Sequence, residues 1–344
     1  MQTLTDYGWN EHFAAGLAAL DKPQLVAARV LADYGSMLKL ATPELKNAEL
    51  SGALLHAAAP ADLPKVGDWV AVQMFETESA VIEAVLPRRS DIARKAKGSK
   101  TLKQVMAANV DVAFVLQAMN DDFNAARLQR YLYQLSLSHI RPVVVLNKAD
   151  QAVDDINHYI DQVEPLNVEY IVCSALYGDG AEEILRVIAP GETAVLLGSS
   201  GVGKSTLTNA LLGSDIQKVG AVREHDQKGR HTTSHRELFT LIGGGMLIDT
   251  PGIRELQLWG DEEDLDETFE DVFAFAAHCK YSNCKHGSGE SGCAIQAALK
   301  STELDTAHYR NFLKMSSELK ILKTRINPQN NRHRKKSNKR FLDD

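Results

Sequence analysis

The sequence predicts an α/β fold with a mostly parallel sheet, a small β-barrel before it and a helical segment after it. Three observations lead to this prediction. Short strand patterns fill residues 24–90, apolar strands alternate with helices from residue 109, and a compact cysteine–histidine cluster precedes a basic C-terminus. A chain of 344 residues is long enough for two or three domains of about 100–200 residues each.

Residues 24–90 have the pattern of a five-stranded barrel. Glycines and prolines separate or flank five β-like segments, namely Leu25–Leu31, Ser36–Leu40, Ala48–Leu54, Gly67–Phe75 and Ser79–Leu86. This number of short strands favours an OB-type barrel, a module that often binds nucleic acid. A barrel that contacts protein fits the same pattern equally well.

Spacing and charge distinguish the segments outside the barrel. Residues 1–22 are predicted to be a leader with a short docking helix, because its large apolar residues have near-helical spacing: Trp9, Phe13, Leu17 and Leu20. Arg88–Lys103 holds seven basic residues and one acidic residue, which is typical of a solvated linker. The tail from residue 319 has nine basic residues against two acidic ones, although the whole chain carries a net charge of −7. Such a chain is expected to hold a polyanion only at a defined place.

The α/β region follows the linker. Its predicted strands are Asp111–Ala118, Pro142–Leu146, Val168–Cys173, Thr193–Leu197 and Met246–Ile248. Its predicted helices are Ala125–Ser138, Asp154–Glu164, Gly180–Ile188 and Lys204–Leu212. Continuous apolar strands that alternate with helices indicate a parallel sheet covered on both faces.

A phosphate-binding loop lies between a predicted strand and the helix after it. The motif G-x-x-x-x-G-K-[ST] is matched by Gly198, Ser199, Ser200, Gly201, Val202, Gly203, Lys204 and Ser205, and Thr206 extends the candidate contacts. The glycines allow backbone N–H groups to surround phosphates at a helix N-terminus. We expect Lys204 to reach the β- and γ-phosphates and Ser205 to bind Mg²⁺.

A second motif predicts which base is bound. The tetrapeptide Asn147, Lys148, Ala149 and Asp150 has the form N-K-x-D and directly follows a strand. The Asp150 carboxylate is suited to accept both the ring N–H and the exocyclic amine of guanine, whereas adenine would leave it unpaired. The pair Ser174 and Ala175 follows the next strand and is a weaker candidate for backing the purine.

Candidate catalytic residues lie after the phosphate loop. Asp249, Thr250, Pro251 and Gly252 form a D-x-x-G motif, in which Asp249 would hold the Mg²⁺ region and Gly252 would contact the γ-phosphate. Thr233, or its neighbour Thr232, would complete the Mg²⁺ shell. Ile253 cannot orient water, so unassisted turnover is expected to be slow, about 10⁻⁴–10⁻² s⁻¹ or below. His231 is a candidate substitute for a water-orienting residue, and a loop histidine that only packs or contacts a partner is the alternative.

The order of these motifs is unusual. GTPases generally run from phosphate loop to switch threonine, D-x-x-G, N-K-x-D and S-A. Here N-K-x-D and S-A precede the phosphate loop, the threonine pair and D-x-x-G. This order predicts a circular permutation, which places D-x-x-G directly before the C-terminal domain and would pass a switch movement to it.

A metal site is predicted near the C-terminus. Cys279, Cys284, His286 and Cys293 supply three thiols and an imidazole, which is a tetrahedral zinc set with no open position. A structural zinc is therefore expected, although soft ligands also allow an iron–sulfur centre. Four cysteines and no apolar run long enough to span a bilayer predict a cytoplasmic protein without a membrane partner.

Together these motifs, with Val66-Gly67-Asp68-Trp69-Val70 in the barrel, resemble the ribosome small-subunit-dependent GTPase A (RsgA) family of circularly permuted GTPases. The resemblance covers about residues 24–319, and the spacing from His286 to Cys293 is one residue longer than usual in the family. It implies an α/β P-loop GTPase domain that is circularly permuted, with an N-terminal OB-type barrel and a C-terminal helical zinc-binding domain. The predicted boundaries are 1–22 leader, 23–100 OB fold, 101–258 GTPase, 259–318 zinc domain and 319–344 basic tail.

The resemblance further implies an enzyme that hydrolyses GTP to GDP and phosphate during late assembly of the small (30S) ribosomal subunit, stimulated by that subunit. Its expected ligands are GTP or GDP with Mg²⁺, one structural Zn²⁺ and 16S rRNA, and we expect a monomer. Three rivals stay open from the sequence. They are a guanine-nucleotide-controlled RNA-binding switch with a non-ribosomal partner, an RNA-binding scaffold without useful turnover, and a small-molecule kinase, against which N-K-x-D argues.

Overall fold

The computed structural model describes residues 3–42, 45–75, 79–95, 103–152, 156–213, 236–249 and 262–326. These residues belong to two compact units. Of the described residues, those up to 124 and from 138 to 249 belong to the first unit, and residues 125–137 and 262–326 belong to the second. Within the described ranges, no helix has the length and apolarity needed to cross a membrane.

The first unit begins with the predicted barrel. Its strands are β1 (Val26–Asp33), β2 (Leu38–Ala41), β3 (Leu45–Leu50), β4 (Trp69–Met74) and β5 (Ser79–Val85). They follow the order β1-β2-β3-β5-β4, and β4 pairs back onto β1, which closes the barrel. Only β3 and β5 run parallel in this set. The five-stranded OB-type prediction is confirmed.

Two sequence predictions around the barrel are wrong in detail. The strand expected to reach Leu54 ends at Leu50, because Ser51 caps a short helix α2 (Gly52–Ala57) by accepting a hydrogen bond from the Leu54 N–H. The expected solvated linker instead contains an antiparallel hairpin, β6 (Asp91–Lys95) and β7 (Lys103–Ala108). Its first basic residue, Arg88, forms a bidentate ion pair with the fully buried Asp68. Pairing with a buried carboxylate thus places Arg88 within the fold, although the run of basic residues predicts a solvated linker.

The leader docks on the barrel through aromatic side chains. Helix α1 (Glu11–Ala18) is capped by Asn10, which accepts from the His12 N–H. The ring of Phe13 is buried and lies 5.6 Å from that of Trp69, and the Trp9 ring contacts Trp69 edge-on at 4.8 Å. Aromatic pairs in this range add stability beyond the area they bury. The predicted docking helix is confirmed.

The α/β sheet of the first unit continues from the barrel. Its strands are β8 (Val112–Ala118), β9 (Arg141–Asn147), β10 (Tyr170–Val172), β11 (Thr193–Leu197), β12 (Arg236–Thr240) and β13 (Met246–Asp249). The order is β10-β9-β8-β11-β13-β12, parallel except for β12. The antiparallel β12 was not predicted, and it pairs with β1, so sheet and barrel are continuous. Helices α4 (Ile156–Val163), α5 (Ala181–Val187) and α6 (Lys204–Leu212) belong to this unit.

The second unit is helical. It contains α3 (Ala125–Leu137), α7 (Glu270–Ala277), α8 (Ala294–Ser301) and α9 (Thr306–Ile326). Tyr133 of α3 lies in the same apolar cluster as Phe269 and Met315. A polar chain also joins α3 to α9, because the Gln129 amide contacts His308 at 2.5 Å and accepts from Asn311 at 2.6 Å. Helix α3 follows a sheet strand in the chain but packs with the C-terminal helices.

Candidate nucleotide site and cysteine cluster

The phosphate loop leaves β11 and ends at the first turn of α6. Two of its glycines have positive φ angles, 143° at Gly198 and 105° at Gly203. A Cβ atom at Gly198 would lie 2.7 Å from the Leu116 carbonyl oxygen, and one at Gly203 would lie 2.2 Å from the Asn147 amide nitrogen. The close approach of neighbouring backbone and side chain therefore requires glycine at both positions.

The loop closes around the lysine of the motif. Lys204 is the first residue of α6, and its Nζ donates to the carbonyl oxygens of Gly198 at 2.7 Å and of Ser199 at 2.5 Å. Ser205 and Thr206 follow on the exposed first turn, and Val202 is buried against the sheet. The helix N-terminus and the ammonium group thus share one end of the loop, where they favour an anion.

Asn147 joins three motifs at once. Its buried amide Nδ2 donates to the Val202 carbonyl oxygen of the phosphate loop at 2.8 Å. Its Oδ1 accepts from the backbone N–H of Ala175 at 3.0 Å. A buried amide with both ends paired fixes the distance between the phosphate loop and the Ser-Ala turn. The sequence motifs that lie far apart in the chain are therefore brought together.

Asp150 lies beside the Ser-Ala turn with its side chain in contact with solvent. Its Oδ1 accepts from the Ser174 hydroxyl at 2.5 Å. The preceding turn is fixed by the Ala149 N–H, which donates to the Cys173 carbonyl oxygen at 3.1 Å, and by Lys148, which has φ 67°. Burial raises the pKa of the Cys173 thiol to about 11, so this cysteine is a neutral core residue. The arrangement fixes a carboxylate at the protein surface, where it has further capacity to accept hydrogen bonds.

Of the candidate catalytic residues, the structure describes Asp249. It is the last residue of β13, and β13 runs parallel to β11, with Val195 opposite Ile248. Parallel strands share their carboxyl ends, so Asp249 lies at the edge of the sheet that carries the phosphate loop. The other predicted switch residues lie outside the described residues: His231, Thr232, Thr233, Gly252 and Ile253.

A further segment at this edge of the sheet belongs to none of the predicted motifs. Residues 119–124 connect β8 to α3, and the Asp122 carboxylate accepts a hydrogen bond from the hydroxyl of Ser199 in the phosphate loop. A signal was available, because polar residues follow the apolar strand β8 just as they follow the strands of the recognised motifs. The run Asn120-Asp121-Asp122 matches no named motif, so motif matching assigns it no role.

The four predicted metal ligands converge in the second unit. Their ligand atoms all lie within 4.8 Å of one another. The His286 Nδ1 is 3.5 Å from the Cys279 sulfur and 3.6 Å from the Cys293 sulfur, and the two sulfurs are 4.0 Å apart. A tetrahedral zinc with bonds of about 2.0–2.3 Å sets its ligand atoms roughly 3.5–3.8 Å apart. The donor set and its spacing fit such an ion.

Backbone N–H groups also point at the cluster. The Ala294 N–H donates to the Cys279 sulfur at 3.3 Å, and the Gln296 N–H donates to the Cys293 sulfur at 3.5 Å. The Cys284 thiol donates to the Glu290 carboxylate at 2.7 Å, and Glu290 also accepts the His286 N–H. Hydrogen bonds from backbone N–H groups stabilise thiolates, the form that binds a metal.

Comparison with known proteins identifies the family. A family model described as RsgA GTPase matches residues 85–259, about half of the chain. The chain belongs to the RsgA GTPase family. An RsgA from Opitutus terrae, named small ribosomal subunit biogenesis GTPase, is 41% identical over 95% of this chain and 92% of its own length. Another from Vibrio parahaemolyticus is 40% identical over 92% of this chain and 85% of its own.

Two solved structures support the fold. YjeQ from Thermotoga maritima superposes with a TM-score of 0.62 at 25% identity and covers 86% of this chain and 98% of its own. YloQ, described as a circularly permuted GTPase, superposes with a TM-score of 0.61 at 22% identity and covers 91% of this chain and 98% of its own. The predicted permuted P-loop GTPase domain with its N-terminal barrel is confirmed, and membership of the family makes the protein a GTP hydrolase.

Proposed function

We propose that this RsgA GTPase acts in biogenesis of the small ribosomal subunit, and that the subunit stimulates its hydrolysis of GTP. The observation that carries the proposal is the convergence of the phosphate loop and Asp150 through Asn147, in a chain similar over nearly its whole length to small-subunit biogenesis GTPases. A role in ribosome biogenesis implies that the protein acts in the cytoplasm. We also propose a monomer, because one chain carries every proposed ligand residue.

The proposed nucleotide contacts follow from the geometry. Asp150 would accept the two guanine donors, with Lys148 and Ala149 shaping its turn and the Ser174–Ala175 turn backing the ring. Backbone N–H groups between Gly198 and Thr206 would surround the phosphates, and Lys204 would turn from the loop carbonyls to the β- and γ-phosphates. A bound Mg²⁺ would neutralise developing phosphate charge, held by Ser205 in the region of Asp249.

The proposed switch residues keep the roles that their motifs predict. Gly252 would contact the γ-phosphate through its N–H, and Thr233 or Thr232 would complete the Mg²⁺ shell. His231 would orient the attacking water. Because Asp249 lies at the phosphate-loop edge of the sheet, the D-x-x-G motif starts within reach of the γ-phosphate position. The predicted domain boundaries remain part of this proposal.

We propose that the cysteine cluster holds one structural Zn²⁺. Cys279, Cys284, His286 and Cys293 would fill its four positions, so the ion would stabilise the second unit and take no part in catalysis. Metal binding to a site that the unfolded chain lacks contributes directly to folding. Glu290 would change partner when the Cys284 thiol loses its proton to the metal.

Replacing Cys284 with serine is expected to lower zinc content to less than half and to reduce the melting temperature of the second unit. The physical reason is the loss of one of four soft ligands. Metal content by mass spectrometry and thermal unfolding are the measurements. Cys173→Ala is the matched control, because this thiol lies in the core of the other unit. A Cys284→Ser protein with one zinc per chain would contradict the ligand set.

Helix α9 supports an RNA partner. Its exposed residues include Arg310, Lys314, Lys320 and Lys323, and none of its exposed residues described up to Thr324 is acidic. Its acidic residue Glu318 is partly buried and paired with Arg130 of α3. The predicted basic tail continues from this helix in the sequence. Exposed basic side chains bind phosphates through counterion release, which fits contact with 16S rRNA.

Purified small ribosomal subunits are expected to raise steady-state GTP hydrolysis at least about tenfold, because a partner supplies what the unassisted site lacks. Lys314→Glu with Lys320→Glu is expected to weaken subunit binding and flatten its salt dependence. Lys300→Glu is the control, because this lysine is exposed on the neighbouring helix α8. Turnover that small subunits leave unchanged, or that large subunits stimulate equally, would favour a switch with a non-ribosomal partner.

A further inference from the structure

We propose that Asp122 positions the phosphate loop for nucleotide binding. Asp122 belongs to residues 119–124, called here the clamp loop, which lie between β8 and α3. Its Oδ2 accepts a hydrogen bond from the Ser199 hydroxyl, across 77 residues of sequence. The inference rests on the GTPase activity of the family and adds to it a positioning residue outside the nucleotide-binding motifs.

The clamp loop is itself fixed. The Met119 N–H donates to the Asn147 carbonyl oxygen at 2.9 Å, which ties the start of the loop to the guanine-reading strand. Within the loop, the Asn120 side-chain Oδ1 accepts from the Asp122 N–H at 3.0 Å, and the Asn120 carbonyl oxygen accepts from the Phe123 N–H at 2.9 Å. These three hydrogen bonds leave Asp122 little freedom to turn away from the phosphate loop.

Contacts at the end of the clamp loop restrain it further. The Phe123 ring packs edge-on against Tyr159 of α4, with centroids 5.3 Å apart. The Asn124 N–H donates to the Oε1 of the buried Gln117 at 3.4 Å. The clamp loop is thereby attached to β8, β9 and α4, so Asp122 is held by a rigid frame and Ser199 is held by Asp122.

Ser199 is held from two directions. Its hydroxyl donates to Asp122, and its carbonyl oxygen accepts from the Lys204 ammonium at 2.5 Å. Ser199 is only 9% exposed, so the carboxylate–hydroxyl bond is sheltered from water. Hydrogen bonds to an ionised acceptor are roughly twice as strong as neutral ones. The hydrogen bond from Ser199 to Asp122 therefore fixes the first turn of the phosphate loop, whose N–H groups must already face inward when phosphates bind.

The expected kinetic signature follows from this position. Asp122 touches the loop rather than the reacting atoms, so its loss should weaken GTP and GDP binding by the same factor, about tenfold. An interaction that stabilises the bound substrate and the transition state equally affects only binding, so its loss should raise KM and leave kcat nearly unchanged. Asp122→Asn keeps a carbonyl acceptor for Ser199 and should recover most of the affinity, whereas Asp122→Ala should not.

The experiment measures fluorescent GDP and GTP-analogue affinities, KM, kcat and melting temperature for Asp122→Ala, Asp122→Asn, Ser199→Ala and the double alanine variant. Asp121→Ala is the matched control, because this neighbouring aspartate is exposed and removes the same charge. The double variant should bind nucleotide no more weakly than Asp122→Ala, because each substitution removes the same hydrogen bond between Asp122 and Ser199. If Asp122→Ala fails to fold, Ser199→Ala and Asp122→Asn carry the same comparison.

The possible outcomes distinguish the proposed positioning role of Asp122 from the GTPase activity of the protein. Wild-type protein that binds no guanine nucleotide would refute the GTPase function itself. Wild-type protein that turns over GTP, with Asp122→Ala affinity within twofold of it or equal to that of Asp121→Ala, would overturn the clamp alone. Additive losses in the double variant would also overturn it, because they would mean that Asp122 and Ser199 act separately.

Discussion

Replacing Asp150 with asparagine is expected to lower the affinity for GTP about a hundredfold and to raise the affinity for xanthosine triphosphate. The guanine ring N–H and exocyclic amine are both donors. An asparagine amide offers them one acceptor and one competing donor, whereas xanthine carries a carbonyl where guanine has its amine. The Ser174 hydroxyl holds the side chain at position 150 in place, so the change alters hydrogen-bonding chemistry rather than position.

Competition binding with GTP, ATP and xanthosine triphosphate measures this change of preference. Asp161→Asn is the control, because this aspartate is exposed on α4 and undergoes the same chemical change. Phosphate contacts are untouched in both variants, so binding of the triphosphate group itself should persist. An Asp150→Asn protein that keeps full GTP affinity would remove the guanine-reading role from this residue.

Replacing Arg29 with methionine is expected to lower the free energy of unfolding of the first unit by about 3–5 kcal/mol. The guanidinium is fully buried. It donates hydrogen bonds to the carbonyl oxygens of Tyr7, Gly67 and Asn109 and to the Thr193 hydroxyl, and these bonds connect the leader, the barrel and the sheet. Methionine removes these four hydrogen bonds from the protein interior, and only part of the loss is offset by the Asn109 amide, which also donates to the Gly67 carbonyl oxygen. Burial lowers the pKa of Arg29 to about 10, so the group is still charged at pH 7.

Urea unfolding followed by tryptophan fluorescence is a suitable measurement, because the buried Trp69 lies under the Arg29 guanidinium at 5.6 Å. Arg141→Met is the matched control, since Arg141 is 45% exposed and its ion pairs with Glu169 and Glu192 are contacts of the surface type. Such pairs contribute about 0–1 kcal/mol. Equal losses in the two variants would show that the buried contacts of Arg29 do not stabilise the unit.

The helix after the phosphate loop illustrates what local sequence predicts well. Lys204–Leu212 has the predicted bounds, because glycine before the helix and the apolar positions within it are local signals. The five barrel strands also follow from local signals, because glycines and prolines flank short β-like segments. Where a cap competed with a strand pattern, at Ser51, the prediction failed, since capping is decided by a single side-chain contact.

The sequence by itself determined the fold class, the permuted order of motifs and most strands and helices, and it supplied the candidate residues for nucleotide and metal binding. Only the tertiary structure decided that β12 joins the sheet to β1, that α3 packs with the C-terminal helices, and that Asp122 meets Ser199 and Arg29 meets Thr193. The physical reason is the range of the forces involved. Periodicity and motifs record contacts between near neighbours, whereas these pairings depend on which buried groups the completed fold brings within hydrogen-bonding distance.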